Sequence, residues 1–110
     1  MKRLILLLVA VLLTFNLVSA QDAAPIRIGL VQLGTDNAFW IAQVAGGQEA
    51  ARRNGFELIV TSGEGDVTRQ VAAFEDLVNQ GVNAIAINPL DASAFGPAKE
   101  AAAATYIPVV

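Results

Sequence analysis

Short apolar runs alternate with longer segments of helical periodicity along most of this chain. The runs are rich in β-branched residues and cover residues 26–33, 56–61, 82–87 and 107–110, a pattern typical of buried strands. The segments between them place apolar residues three and four positions apart, as one face of a helix requires. They predict helices over residues 38–54, 67–80 and 92–105.

The predicted element order is therefore βαβαβαβ. Such alternation favours parallel strands joined by right-handed helical crossovers, with helices on both faces of the sheet. We predict an α/β fold with a doubly wound parallel sheet, of the flavodoxin-like or Rossmann-like kind. Because the last predicted strand has no helix to cover it, we expect the chain to be part of a longer gene product.

Four residues mark predicted helix ends. Gly55 and Gly81 follow the first and second helices, where glycine commonly ends a helix. Asp66 and Asp91 precede the second and third helices, where a carboxylate accepts hydrogen bonds from first-turn amides. Capping is the expected role of both aspartates, in preference to contact with a ligand.

The first 20 residues follow a different pattern. Lys2 and Arg3 precede ten consecutive apolar residues, 4–13, and the small side chains of Ser19 and Ala20 suit cleavage before residue 21. This order of basic, apolar and small residues predicts a secretory signal peptide. A membrane-spanning helix is disfavoured, because ten apolar residues fall short of the roughly 20 that span a bilayer. We expect a signal peptide over 1–20 and one exported, periplasmic domain over 21–110, with no stable membrane insertion after cleavage.

Composition narrows the possible functions further. The chain has no His and no Cys, which excludes zinc sites built from them, a Cys nucleophile, a His-based triad and a lipid anchor on Cys. After removal of residues 1–20 it carries five basic and ten acidic residues, a net charge of −5 that argues against nucleic acid as a partner. We expect no enzymatic activity, no cofactor and no metal.

The most distinctive polar residues follow the first predicted strand. Ligands of open α/β sheets bind at the carboxyl ends of the strands, and here Asn37 is followed by Phe39 and Trp40. Aromatic faces suit the C–H faces of a sugar ring, while an Asn amide can both donate to and accept from hydroxyl groups. A second interpretation stays open at this point, in which Asn37 caps the helix and both rings join the core.

Several segments resemble the periplasmic sugar-binding proteins of the ribose-binding type, the substrate receptors of ABC importers. The likeness lies in residues 28–31 (Ile-Gly-Leu-Val), 36–40 (Asp-Asn-Ala-Phe-Trp) and 80–89 (Gln-Gly-Val-Asn-Ala-Ile-Ala-Ile-Asn-Pro), in the family's order and spacing. It extends to Gly47 and Gln70 and covers nearly all of residues 21–110.

The resemblance implies that residues 21–110 form part of the N-terminal lobe of a two-lobe binding protein. It implies a monosaccharide as ligand, with Asn37, Phe39 and Trp40 on one wall of the cleft. The implied partners are the membrane subunits of an ABC importer and a chemoreceptor. The Asp-Arg pair that the family places beyond the fourth strand, and the second lobe, would follow Val110.

Three positions depart from the family pattern. Ala38 stands where the family often has Pro, Leu33 where a polar sugar contact can occur, and Tyr106 where Gly is common. Two other receptor classes are compatible with the fold. The effector-binding domain of a sugar-responsive repressor shares this fold, but it needs an N-terminal helix-turn-helix where this chain has the predicted signal peptide. The resemblance also admits a receptor for another small polar ligand, such as an autoinducer, because close relatives of this receptor type accept such molecules.

Overall fold

The computed structural model describes residues 23–110, so the predicted signal peptide lies outside the described residues. Three parallel strands form the sheet: β1 (Arg27–Gln32), β2 (Glu57–Ser62) and β3 (Ala84–Ile87). Their order is β2-β1-β3, with β1 paired to both neighbours. The predicted parallel α/β sheet is confirmed. Residues 107–110 begin a fourth strand as predicted, with a parallel bridge between Val109 and Ile85 and three backbone hydrogen bonds to β3.

Three α-helices connect these strands: α1 (Ala38–Asn54), α2 (Val67–Asn79) and α3 (Gly96–Ala104). The third helix begins later than predicted, because residues Ala92–Phe95 form a turn of 3-10 helix. Pro97 lies in the first turn of α3, where its missing N–H costs no intrahelical bond. None of the helices within residues 23–110 is long and apolar enough to cross a bilayer.

The predicted capping roles of Asp66 and Asp91 are confirmed, although Asp91 caps the 3-10 turn and not α3. Asp66 accepts a hydrogen bond from the backbone N–H of Arg69 at 2.8 Å, and Asp91 accepts one from that of Ser93 at 2.9 Å. Two hydrogen bonds from Ser93 lower the pKa of the exposed Asp91 carboxyl: the bond from its hydroxyl has the larger effect, and the bond from its backbone amide the smaller. Gly55 ends α1 with φ of 71°, a left-handed conformation that suits a residue without a Cβ.

Helices pack on both faces of the sheet, as predicted. Consecutive strand residues point to opposite faces, and Leu58 and Ile59 of β2 show which helices lie on each. Leu58 packs under α1, where a Cβ added to Gly47 would lie 2.8 Å from Leu58 Cδ2. Ile59 packs against the main core, which lies between the sheet and helices α2 and α3. The buried residues of this core are Val31, Phe74, Leu77, Val82, Ile85, Phe95, Ala98, Ala102 and Ile107.

Candidate ligand site

The strand order creates a switch point beside β1. The chain leaves β1 to form β2 on one side and later forms β3 on the other, so the segments after β1 and β3 diverge. Ligands of open α/β sheets bind in the crevice that such a divergence leaves at the carboxyl edge. Asn37, Phe39 and Trp40 follow β1 at this edge, and Asn88 follows β3.

Asn37 has the capping role that one of the two interpretations assigned to it. Its side-chain Oδ1 accepts hydrogen bonds from the backbone N–H groups of Phe39 at 3.0 Å and Trp40 at 3.2 Å. This arrangement satisfies two of the free amides that begin α1. Since Oδ1 is engaged, Nδ2 is the group of the exposed Asn37 side chain that can donate to a ligand.

The same interpretation placed both aromatic rings in the core, and the structure shows that this part was wrong. Phe39 is 65% exposed and Trp40 is half-buried. Their ring centroids lie 4.7 Å apart and the ring planes cross at 81°, an edge-to-face arrangement. The pair therefore presents two nearly perpendicular aromatic surfaces at the carboxyl edge of the sheet.

A buried glutamine joins the strand ends below this pair. Gln70 of α2 is 1% exposed, and its Nε2 donates to the backbone carbonyls of Gln32 at 3.0 Å and Asn88 at 2.8 Å. Its Oε1 accepts from the backbone N–H of Leu90 at 2.9 Å. Gln70 thus fixes the end of β1 to the segment that leaves β3.

The sequence analysis gave Gln70 no role beyond the family likeness, although the pattern of α2 contains an indication of one. Gln70 interrupts the apolar face of α2 between Val67, Val71 and Phe74, where a polar side chain must find buried partners. Gln32 was missed in the same way, since it is a fully buried polar residue at the end of an apolar strand.

An open cavity of about 360 Å³ lies beside Trp40, between α1 and β2. The residues that line it are Gln32, Thr35, Trp40, Ile41, Val44, Ala45, Gln48 and Val60. The hydroxyl of Thr35 donates to the carboxylate of Glu64 at 3.2 Å, which connects the segments after β1 and β2. Leu33 offers no polar side chain here, although its carbonyl accepts from the N–H of Gly65 at 2.8 Å.

The charged groups nearest this edge are acidic. Asp36 precedes Asn37, and Glu64 follows β2; both are exposed. Within residues 23–110, no cluster of three acidic side chains is arranged to hold a metal ion. The edge therefore combines aromatic surfaces and amide donors with negative charge, which suits a neutral, hydroxyl-rich ligand better than an anionic one.

A parallel α/β sheet with polar and aromatic side chains gathered at its switch point is the arrangement in which open α/β proteins bind small molecules. The family profile described as periplasmic binding protein domain matches residues 28–110. This chain belongs to that family.

Two curated relatives are ribose import binding proteins. That of Bacillus subtilis is 37% identical over 83 residues, which cover 76% of this chain and 27% of that protein. That of Escherichia coli is 34% identical over 110 residues, which cover 100% of this chain and 37% of that protein. The chain thus spans about a third of the length of these relatives.

A solved structure gives the same result for the fold. The periplasmic solute binding protein of an ABC transporter from Actinobacillus succinogenes, with bound D-allose, matches with a TM-score of 0.71 and 29% identity. The match covers 78% of this chain and 29% of that protein. The predicted family and the predicted fold class are both confirmed.

Proposed function

We propose that this chain supplies one wall of a monosaccharide-binding cleft in the substrate-binding component of an ABC importer. The observation that carries the proposal is the exposed Phe39 ring, held edge-to-face against Trp40 at the carboxyl edge of the sheet. Tyr106 is more exposed, so exposure alone does not mark a site; Phe39 differs because its ring pairs with that of Trp40 at the edge where ligands of open α/β sheets bind. The family and its relatives support transport rather than catalysis as the purpose of the site.

Each proposed site residue has a distinct task. The faces of Phe39 and Trp40 stack on the C–H faces of the sugar, from which they exclude water. Asn37 Nδ2 donates to a sugar hydroxyl, while its Oδ1 keeps the first turn of α1 in place. The negative charge of Asp36 and Glu64 disfavours phosphorylated sugars, so the expected ligand is a free sugar.

The wider assignment follows from the same proposal. Residues 1–20 act as a signal peptide, and residues 21–110 form part of the N-terminal lobe of a two-lobe periplasmic protein. Its partners are the membrane subunits of an ABC importer, and a chemoreceptor that senses the same sugar. Export is supported by the basic, apolar and small-residue order of the first 20 residues.

Isothermal titration calorimetry tests the proposal. The complete gene product is titrated with D-ribose, D-allose, D-xylose, D-glucose and L-arabinose. We expect saturable heat with at least one sugar, and about tenfold weaker binding in Phe39→Ala and in Trp40→Ala.

Tyr106→Ala is the matched control, because Tyr106 is 93% exposed but precedes the residues that bridge to β3, at the opposite edge of the sheet. It should leave the affinity unchanged. The proposal fails if no sugar gives heat, or if Phe39→Ala and Tyr106→Ala bind sugar equally well.

A further inference from the structure

Three side-chain amides form a continuous hydrogen-bonded chain beneath Trp40. Gln32 Nε2 donates to the backbone carbonyl of Trp40 at 3.3 Å and to Gln43 Oε1 at 3.0 Å. Asn88 Nδ2 donates to the same Gln43 Oε1 at 2.9 Å. The chain thereby connects the end of β1, the first turns of α1 and the residue that follows β3.

The bond that Gln32 donates to Trp40 determines the direction of every other hydrogen bond among the three amides. A backbone carbonyl can only accept, so Gln32 must direct its NH2 group toward Trp40. Gln43 must then present its oxygen to Gln32, and Asn88 must present its NH2 group to that oxygen. The three amides therefore have a single consistent orientation.

This orientation leaves Gln32 Oε1 buried and, among the described residues, without a hydrogen-bond partner. Gln32 is fully buried, and a buried acceptor without a partner destabilises the fold. An apolar residue would suit the end of β1 without this cost, since Leu30 occupies the same face of the strand two residues earlier. Strand packing alone does not account for an amide at this position.

The surroundings of Trp40 supply the missing reason. Trp40 lines the open cavity between α1 and β2, so close packing does not surround this residue on that side. Its carbonyl belongs to α1, where the helix itself provides a donor four residues later. The bond from Gln32 is therefore an additional contact, and it ties the backbone that carries the ring to the end of β1.

We propose that Gln32 and Gln43 are positioning residues that set the orientation of Trp40 relative to the ends of β1 and β3. The inference rests on the proposed function in that Trp40 contacts the ligand. Neither glutamine needs to touch the ligand, since both act through the backbone of Trp40 and through Asn88.

Conservative and apolar substitutions of Gln43 separate positioning from packing. Gln43 uses only its oxygen in the chain, accepting from both neighbours, so Gln43→Glu preserves both bonds and Gln43→Leu removes them. Gln32→Leu removes the contact with Trp40 together with the unpartnered oxygen. Gln48→Leu is the control, because Gln48 borders the same cavity from an exposed position on α1 outside the amide chain.

Two readouts are measured on the protein as its gene encodes it. The first is the affinity for the same five sugars. The second is the fluorine NMR signal of fluorotryptophan at Trp40, assigned with Trp40→Phe and recorded without sugar. We expect Gln32→Leu and Gln43→Leu to weaken binding about fivefold, the equivalent of one net hydrogen bond. Both should shift or broaden the Trp40 signal, while Gln43→Glu and Gln48→Leu change neither readout.

The proposal is overturned if Gln43→Glu behaves like Gln43→Leu, or if the Trp40 signal of both Leu variants matches that of the unaltered protein. Should no sugar bind the unaltered protein, the proposed function fails, and the signal recorded without sugar still decides whether the amides position Trp40. Should Gln32→Leu fail to fold, the two Gln43 variants give the same decision.

Discussion

Replacing Gln70 should reveal how strongly the carboxyl edge of the sheet depends on one buried side chain. Gln70→Leu keeps a side chain of similar size but removes three hydrogen bonds, of 3.0, 2.8 and 2.9 Å. At about 1 kcal/mol for each net hydrogen bond, the loss is at most about 3 kcal/mol.

Two of the three former partners keep or regain a contact. The carbonyl of Gln32 still accepts from the N–H of Gly63 at 3.2 Å, and Leu90 is 43% exposed, so its N–H can turn to water. The carbonyl of Asn88 loses its donor in a half-buried position. We therefore expect the free energy of unfolding to fall by about 2 kcal/mol.

Urea denaturation followed by far-UV circular dichroism measures this change. Gln48→Leu serves as the control, because an exposed helical position should change the free energy of unfolding by less than about 0.5 kcal/mol. A loss below about 1 kcal/mol for Gln70→Leu, or equal losses for both variants, would refute the reasoning.

Three further predictions follow from local geometry. Gly63→Ala should lower the urea midpoint by an amount equivalent to about 1–3 kcal/mol, because its Cβ would lie 2.6 Å from Gln70 Cβ; an unchanged midpoint would contradict this. Tyr106→Gly should raise the melting temperature measured by calorimetry, because Tyr106 has a left-handed conformation with φ of 59°. Relief of that conformation stabilises the fold by about 1–2 kcal/mol, which exceeds the cost of about 0.5–1 kcal/mol from the added entropy of the unfolded chain. A lower melting temperature would count against this reasoning. Ser93→Ala should raise the pKa of Asp91 toward its ordinary value in an NMR titration, whereas an unchanged pKa would exclude the Ser93 hydroxyl as the main cause. Because the pKa of Asp91 is lowered in the folded protein, its stabilising contribution is present above the unfolded pKa and is lost as pH falls through the folded pKa.

The fold could be predicted from local pattern because strands and helices differ in period along nearly all of the described chain. The capping aspartates were also predictable, because capping is local in sequence: Asp91 accepts a hydrogen bond from a residue only two positions away. The apolar character of residues 107–110 also predicted that they pair with the sheet, although it does not specify how many of them do so.

The residues proposed for the site could be chosen from the sequence, whereas the side chains that support them could not. Asn37, Phe39 and Trp40 are neighbours in sequence, so their proximity followed from chain order alone. The contacts of Gln70 reach residues 38 and 18 positions away, and Gln43 meets Asn88 across 45 positions. Such pairings depend on the crossover order of the sheet, and a single polar residue in an apolar run does not reveal its partner.

The exposure of Phe39 likewise became clear only in the structure. A phenylalanine in the first turn of a helix next to a tryptophan is equally compatible with core packing, and the 65% exposure of its side chain is what excludes the core interpretation. The capping bonds of Asn37 explain how this exposure is maintained, because they begin α1 at a position that directs Phe39 outward.

The most direct test of the central claim is amide and indole NMR during titration with the sugar that gives calorimetric heat. We predict that the largest chemical-shift changes occur at the Nδ2 group of Asn37, the backbone amide of Phe39 and the indole N–H of Trp40. The chemical shift of the Tyr106 backbone amide should stay unchanged. Saturable sugar binding that leaves Asn37, Phe39 and Trp40 unshifted would contradict the assignment of the site.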